Sequence, residues 1–194
     1  MSQSLSLRTT LARTVRRLQP SYVEIERRAS TFRERKFLDK SELQAHQEQD
    51  LSRLLTHAKN HVPYWRNLFR TNGLKANAVS LNALPIMEKK QLRIHFESMK
   101  SEDLGDREWY VNRSGGSTGE PVTFVQDKDY LYASEGRKQV FFEQIGWQIG
   151  SPFIRLWGSE YDITQEGKGW WRSTKNYIHN RSILNAFQMT PHTM

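Results

Sequence analysis

The chain is 194 residues long, enough to bury a hydrophobic core in one domain or in two small ones. It has no cysteine, which excludes disulfide frameworks and thiolate metal sites and fits a reducing compartment. Its 29 lysines and arginines against 21 acids give a formal charge of +8, which favours polyanionic partners such as nucleotides, nucleic acids or acidic membrane surfaces. No apolar run reaches the roughly 18 to 20 residues of a membrane helix, so we expect a soluble, cytoplasmic protein.

Residues 1–38 are predicted to form a basic amino-terminal arm. The first 23 residues carry arginines and no acid, and Leu7, Leu11, Val15 and Leu18 recur at helical spacing. Such a pattern also occurs in membrane-surface helices and in organelle transit peptides. We interpret it as a basic helix on the protein surface.

Residues 39–108 are predicted to be mainly helical. Apolar periodicity and helix-stop residues predict three helices, at Ser41 to His61, at 64–70 and from near Glu88. Pro63 separates the first two, and Gly73 is expected to end the second. Tyr64 and Trp65, which follow Pro63, are expected to be buried structural residues.

Residues 109–194 change in character and predict an α/β fold class. Strands are expected at 109–112, 122–126 and 153–157, with a helix at about 130–144 between the second and third strands. The chain is therefore predicted to join a helical amino-terminal region to the first strands and helix of an incomplete αβ subdomain.

Four histidines, His46, His57, His61 and His95, raise the question of a metal site. His57 and His61 have the i, i+4 spacing that can chelate zinc on a helix. Ala58 stands where an H-E-x-x-H motif has its glutamate, and no carboxylate lies close in sequence to act as third ligand. We expect ordinary surface histidines here and no metal.

No serine lies in a G-x-S-x-G elbow, so a nucleophilic serine is not supported either.

The segment Ser114 to Pro121, SGGSTGEP, is the chemically distinctive part of the chain. Its glycines permit positive φ and let backbone N–H groups converge, while its hydroxyls add neutral donors, a combination suited to phosphate oxygens. Glu120 and Pro121 follow the last glycine where a Walker A loop requires Lys and Ser/Thr, so that class is rejected. A flexible connection in a β-hairpin is the alternative interpretation.

This segment resembles the Ser/Thr/Gly-rich phosphate loop of the AMP-forming (adenylate-forming) ligase superfamily. The likeness is to the branch with phenylacetate–CoA ligase and the CapK-type proteins of capsular polysaccharide biosynthesis. LLTHAKNHVPYWRNLF, LPIMEKKQLR and NRSILNAFQMTP are also similar to that branch, in the expected order, from about Leu43 onward. Val122 stands near the position where most superfamily members have a lysine, a departure that this branch shares.

The resemblance implies a nucleotide-binding αβ subdomain and a two-step reaction. A carboxylate attacks the α-phosphate of Mg-ATP to give an acyl-adenylate, and a thiol acceptor such as CoA then displaces AMP. The residues implied to bind the β- and γ-phosphates and the leaving pyrophosphate are Ser114, Gly116, Ser117, Thr118 and Gly119. None of them is implied to be a catalytic base, and Glu120 is expected to point away from the phosphates.

The family also uses later segments that bind adenine, ribose and Mg²⁺, and a carboxy-terminal domain with a catalytic lysine. None is recognisable in this sequence. We therefore expect the amino-terminal portion of a ligase, from a truncated gene product or an incomplete sequence. Such a chain is expected to bind pyrophosphate or ATP weakly without turnover.

A noncatalytic nucleotide- or RNA-binding module is the alternative function. The positive charge would attract phosphates, and six aromatic residues could stack on bases: Trp109, Tyr110, Trp147, Trp157, Trp170 and Trp171. The basic residues are scattered among acids rather than gathered into a stripe, so we expect no nucleic-acid partner.

Overall fold

The computed structural model describes residues 6–76, 81–114, 121–157 and 170–186, with the backbone alone at Trp157, Trp171 and Arg172. These residues form a mixed α and β structure with seven α-helices and two two-stranded sheets. None of the described helices has the length and hydropathy to cross a membrane.

Helices come first along the chain, and strands are interspersed with helices from Trp109 onward, as the sequence predicts. The α-helices are α1 (Leu7–Arg17), α2 (Pro20–Arg35), α3 (Lys40–His61), α4 (Pro63–Thr71), α5 (Lys89–Ile94), α6 (Lys128–Gln144) and α7 (Trp170–Ile178). The strands are β1 (Trp109–Arg113), β2 (Thr123–Asp127), β3 (Phe153–Trp157) and β4 (Arg181–Asn185), and short 3-10 helices lie at Leu81–Ala83 and Glu102–Asp106.

Contacts divide the chain into two compact units. The central unit is Arg33–Leu131, and the discontinuous unit combines Met1–Phe32 with Tyr132–Met194. The boundaries predicted at residues 38 and 108 rest on changes in sequence character, and they stay predictions.

In the central unit, residues at the ends of α3 and α4 determine where these helices begin and end. The Asp39 carboxylate accepts a 2.8 Å hydrogen bond from the Glu42 N–H, and the Glu42 carboxylate accepts one of 2.9 Å from the Asp39 N–H, so α3 begins with a capping box. Pro63 is the first residue of α4, where its missing N–H costs nothing. Gly73, at φ +61°, follows the end of α4. The helices predicted at Ser41 to His61 and 64–70 are confirmed.

The core of the central unit is a small cluster of residues from α3, α4 and the segment after α4. Leu55, Phe69 and Ala76 are buried, and Phe69 is only 1% exposed. Trp65 packs against this cluster but is only half-buried, because it also lines a cavity. Phe69, rather than the expected Trp65, is therefore the principal buried aromatic residue of α4.

The predicted strands are confirmed, and they belong to different sheets. β1 and β2 form an antiparallel hairpin in which Trp109 pairs with Asp127 and Arg113 with Thr123. β3 pairs in parallel with β4, from Phe153 opposite Arg181 onward. The hairpin lies in the central unit and the parallel pair in the discontinuous unit.

In the discontinuous unit, α1 packs closely against the residues before β3. A Cβ built on Gly150, which has φ +87°, would lie 2.6 Å from the Thr9 carbonyl oxygen. The Arg13 guanidinium donates to the Ile149 carbonyl oxygen at 3.2 Å. The predicted surface helix is confirmed, but it buries Thr9 and Ala12, while its leucines point outward: Leu7, Leu11 and Leu18 are exposed.

Truncating Phe69 to alanine is expected to lower the free energy of unfolding by about 3–5 kcal/mol, because a fully buried ring is lost and a cavity remains. Phe37→Ala is the matched control, since Phe37 is 82% exposed. Chemical denaturation of both variants measures the effect. Equal losses in the two variants would contradict the assignment of Phe69 to the core.

Gly136→Ala is expected to destabilise the discontinuous unit by about 1–3 kcal/mol, although alanine normally stabilises a helix interior by about 1 kcal/mol. The reason is that α6 crosses α2 so closely that a Cβ at Gly136 would lie 2.9 Å from the Ala29 nitrogen and from the Ile25 carbonyl oxygen. Gly105→Ala is the control, because a Cβ there would meet no heavy atom within 4 Å. Thermal unfolding separates the two, and a stabilised Gly136→Ala protein would show that the helices do not cross this closely.

Candidate functional site

The distinctive glycine-rich segment connects the two strands of the hairpin, and its ends are held together. The Ser114 N–H donates to the Val122 carbonyl oxygen at 2.9 Å. In return, the Ser114 hydroxyl oxygen accepts the Val122 N–H, also at 2.9 Å. Because a hydroxyl that accepts one bond keeps its own proton, Ser114 can still donate to an anion.

Of the predicted phosphate-binding residues, Ser114 alone lies within the described part of the chain. It stands directly after β1 and closes the hairpin. Gly116, Ser117, Thr118 and Gly119 lie outside the described residues, so their predicted role stays a prediction.

A cavity of about 580 Å³ lies against the hairpin within the central unit. Its apolar wall comes from β2 and the residue before it and from the helical region, and includes Val62, Trp65, Phe96, Val122, Phe124 and Val125. A volume of this size and a largely apolar lining are typical of small-molecule sites. Val122 belongs both to the cavity wall and to the bonds that close the hairpin, so the glycine-rich segment starts at the edge of the cavity.

The polar part of the cavity wall is organised by Arg107. Its guanidinium donates to the Asp103 carboxylate at 2.5 Å and to the Asp127 carboxylate at 3.1 Å. Asp127 also accepts the Tyr130 N–H at 2.8 Å and so caps the first turn of α6. Arg107 thereby fixes the end of β2 relative to the 3-10 helix Glu102–Asp106.

Beside the cavity, a second group of polar side chains joins α3 to the start of that 3-10 helix. His57, His61 and Asp103 each place one potential metal-ligand atom so that the three atoms lie within 4.8 Å of one another. The Ser101 hydroxyl lies 3.1 Å from His57 Nε2 and 2.5 Å from Asp103 Oδ1. Hydrogen bonds from Ser101 and then from Arg107 hold the pKa of Asp103 below its ordinary value, which favours the carboxylate.

The sequence prediction missed Asp103 as a partner of the two histidines. The i, i+4 spacing correctly identified His57 and His61 as neighbours on a helix, and their rings stack with centroids 4.8 Å apart. The carboxylate, however, comes from a different element, after α4 and α5 have intervened. No carboxylate lies near the two histidines in sequence, as predicted, and the fold brings the Asp103 carboxylate to them from elsewhere in the chain.

The aromatic residues considered for stacking on bases are distributed over both units. Trp109 and Tyr110 lie in the central unit, and Trp147 and Trp170 lie in the discontinuous unit. The Trp147 ring makes edge-to-face contacts with Phe142 and Phe153, with centroids 5.8 and 5.9 Å away, which is a packing role. Trp157 and Trp171 have no described side chains.

Comparison with models of known protein families, with curated proteins and with solved structures finds no match for this chain. The likeness of the glycine-rich segment to a phosphate loop therefore rests on its own residues.

Ser114→Ala is expected to destabilise the hairpin by about 1–2 kcal/mol, because the Val122 N–H loses its acceptor at a residue that is only 6% exposed. Ser114→Thr, which keeps the hydroxyl, is the control and should retain most of the stability. Hydrogen exchange at the Val122 amide reports the bond directly. Unchanged protection in Ser114→Ala would contradict a structural role for the hydroxyl.

Proposed function

We propose that this chain supplies the phosphate-binding part of an AMP-forming ligase that activates a carboxylic acid as its acyl-adenylate. One observation carries the proposal. A segment rich in glycine and hydroxyl residues starts from a closed hairpin end at Ser114 and Val122, and Val122 also lines an apolar cavity of about 580 Å³. An anion-binding segment beside a cavity for an organic group is the arrangement that carboxylate activation by ATP requires.

The chemistry proposed for the segment is electrostatic. A carboxylate oxygen attacks the α-phosphorus of ATP, a new P–O bond forms, and the bond to the β-phosphate oxygen breaks, so that pyrophosphate leaves with the electron pair. The Ser114 hydroxyl and the backbone N–H groups and hydroxyls of Gly116, Ser117, Thr118 and Gly119 would stabilise the charge on the departing phosphates. These donors act without any change of protonation state.

ATP and Mg²⁺ are the cofactors that the proposal implies. Neutral N–H and O–H donors suit phosphate oxygens, and the overall charge of +8 favours the approach of a polyanion. Mg²⁺ would neutralise phosphate charge in the reaction. The segment from Ser114 to Gly119 has no carboxylate to bind that ion, so the proposed role of these residues is limited to the phosphates.

The cavity is proposed to accept the apolar part of the carboxylic acid. Trp65, Phe96 and Phe124 contribute aromatic rings to its wall, and the cations at its edge are already paired. Arg107 is bound by two carboxylates, and the Lys100 ammonium is 2.8 Å from the Glu97 carboxylate and 4.6 Å above the Phe96 ring. An uncharged hydrocarbon or aromatic group therefore fits this space better than a phosphate does.

Thr118→Val and Gly119→Pro are expected to weaken pyrophosphate binding by the 194-residue chain about tenfold to a hundredfold. The valine removes a hydroxyl donor to a charged ligand, and the proline removes a backbone donor and fixes φ. Isothermal titration with pyrophosphate measures the effect.

Gly105→Ala, in the same unit but outside the segment Ser114 to Pro121, is the control and should bind like the unchanged protein. If both segment variants bind pyrophosphate as tightly as this control does, the segment is a plain hairpin connection and the proposal is wrong.

A further inference from the structure

We propose that His57, His61 and Asp103 form a binding site for a divalent transition-metal ion of the zinc class. This inference concerns a different group of side chains and does not depend on the ligase proposal. It rests on the position of three potential ligands within 4.8 Å of one another, contributed by two separate elements of the central unit.

The two histidines are presented by the last turns of α3. Residues four apart on an α-helix lie on the same face, so His57 and His61 are neighbours, with ring centroids 4.8 Å apart and planes inclined by 21°. Asp103 comes from the 3-10 helix Glu102–Asp106, which α4, α5 and their connections separate from α3 along the chain. A metal bound by all three would join these elements.

The donor set suits zinc better than calcium or magnesium. Two imidazole nitrogens and one carboxylate oxygen match the two histidines and one acid of many three-ligand zinc sites, whereas calcium and magnesium prefer oxygen ligands. A fourth position would be filled by water or by the Ser101 hydroxyl, which lies 3.1 Å from His57 Nε2 and 2.5 Å from Asp103 Oδ1.

The distances are close to those that a bound ion requires. Tetrahedral zinc with bonds of about 2.0–2.2 Å places its ligand atoms about 3.3–3.6 Å apart. His57 Nε2 and Asp103 Oδ1 are 4.0 Å apart, and the widest separation in the group is no more than 4.8 Å. Movements of about 1 Å, within the reach of small side-chain rotations, would complete the coordination geometry.

The surrounding groups support the carboxylate without blocking it. Arg107 binds Asp103 through Oδ2, which leaves Oδ1 facing His57 and Ser101. The Glu102 carboxylate interacts electrostatically with His61, and the Arg66 guanidinium binds it at 2.5 Å. A hydrogen-bonded partner such as Arg107 orients a carboxylate ligand in known metal sites.

The proposed metal site adjoins the cavity through Ser101. Ser101 lines the cavity and also contacts both His57 and Asp103. An ion bound there would lie at the cavity edge, with one coordination position shared between water and Ser101. The ion would thus tie α3 to the cavity wall.

The test uses the tag-free 194-residue chain and the metal alone. Zn²⁺ is titrated calorimetrically, and Co²⁺ is titrated as a spectroscopic substitute, because a four-coordinate Co²⁺ site absorbs visible light far more strongly than the hydrated ion does. We expect one ion per chain and a higher thermal unfolding temperature in its presence.

His61→Ala and Asp103→Asn are the test variants, and His46→Gln is the matched control because His46 also lies on α3 but outside the cluster. We expect each test variant to bind Zn²⁺ at least tenfold more weakly and to lose the four-coordinate Co²⁺ spectrum, while the control keeps both. Circular dichroism confirms that each variant is folded. Asp103→Asn keeps the size of the side chain, so it remains informative if His61→Ala does not fold.

Two outcomes would overturn the proposal. One is the absence of stoichiometric Zn²⁺ binding by the unchanged protein, in which case the cluster is a hydrogen-bonded contact between His57, Ser101 and Asp103 only. The other is equal Zn²⁺ affinity in the test variants and in His46→Gln, which would place the ion elsewhere.

Discussion

The central unit depends on the guanidinium of Arg107, which is held between two carboxylates from different elements. Asp103 lies in a 3-10 helix beside the end of α3, and Asp127 ends β2 and caps α6. Exposed ion pairs each contribute less than about 1 kcal/mol, so their importance here is geometric rather than energetic. By joining these two acids, Arg107 fixes the position of the hairpin relative to the helices and keeps the cavity wall together.

The same arrangement connects the two proposed sites. The segment proposed to bind phosphate begins at Ser114, whose partner Val122 lines the cavity. The cluster proposed to bind a metal contacts Ser101, which lines the cavity as well. The two sites differ in chemistry. The segment offers neutral donors to an anion, whereas the cluster offers two nitrogens and a carboxylate to a cation.

Individual helices and strands could be predicted from the sequence, because the residues that determine where they begin and end lie within or next to them. The capping box at Asp39, Pro63 at the start of α4 and Gly73 after its end each act within a few residues, so α3 and α4 were predicted closely. The strands were predicted for the same reason. The likeness of SGGSTGEP to a phosphate loop was also visible in the sequence, although its role remains a proposal.

Contacts between distant segments were not predictable. The leucines of α1 recur at helical spacing, but the helix buries Thr9 and Ala12, and its backbone at Thr9 lies so close to Gly150 that a Cβ there would be 2.6 Å from the Thr9 carbonyl oxygen. Periodicity shows that a helix has an apolar face and does not show which face is packed. For the same reason, His57 and His61 could be recognised as neighbours, but Asp103 could be assigned to them only after the fold had brought it there.

The cavity is the place where the two proposed sites would influence each other. Neither proposed site uses residues of the other. The proposed phosphate donors are neutral and come between β1 and β2 in the sequence, whereas the proposed metal ligands come from α3 and the 3-10 helix Glu102–Asp106. A metal that drew Ser101 toward His57 would nevertheless move one wall of a space that Val122 also lines. Binding at one site could then alter the fit of an organic group in the cavity without touching the phosphates. This coupling needs only a rigid link between Ser101 and the hairpin, and Arg107, bound to both Asp103 and Asp127, provides one.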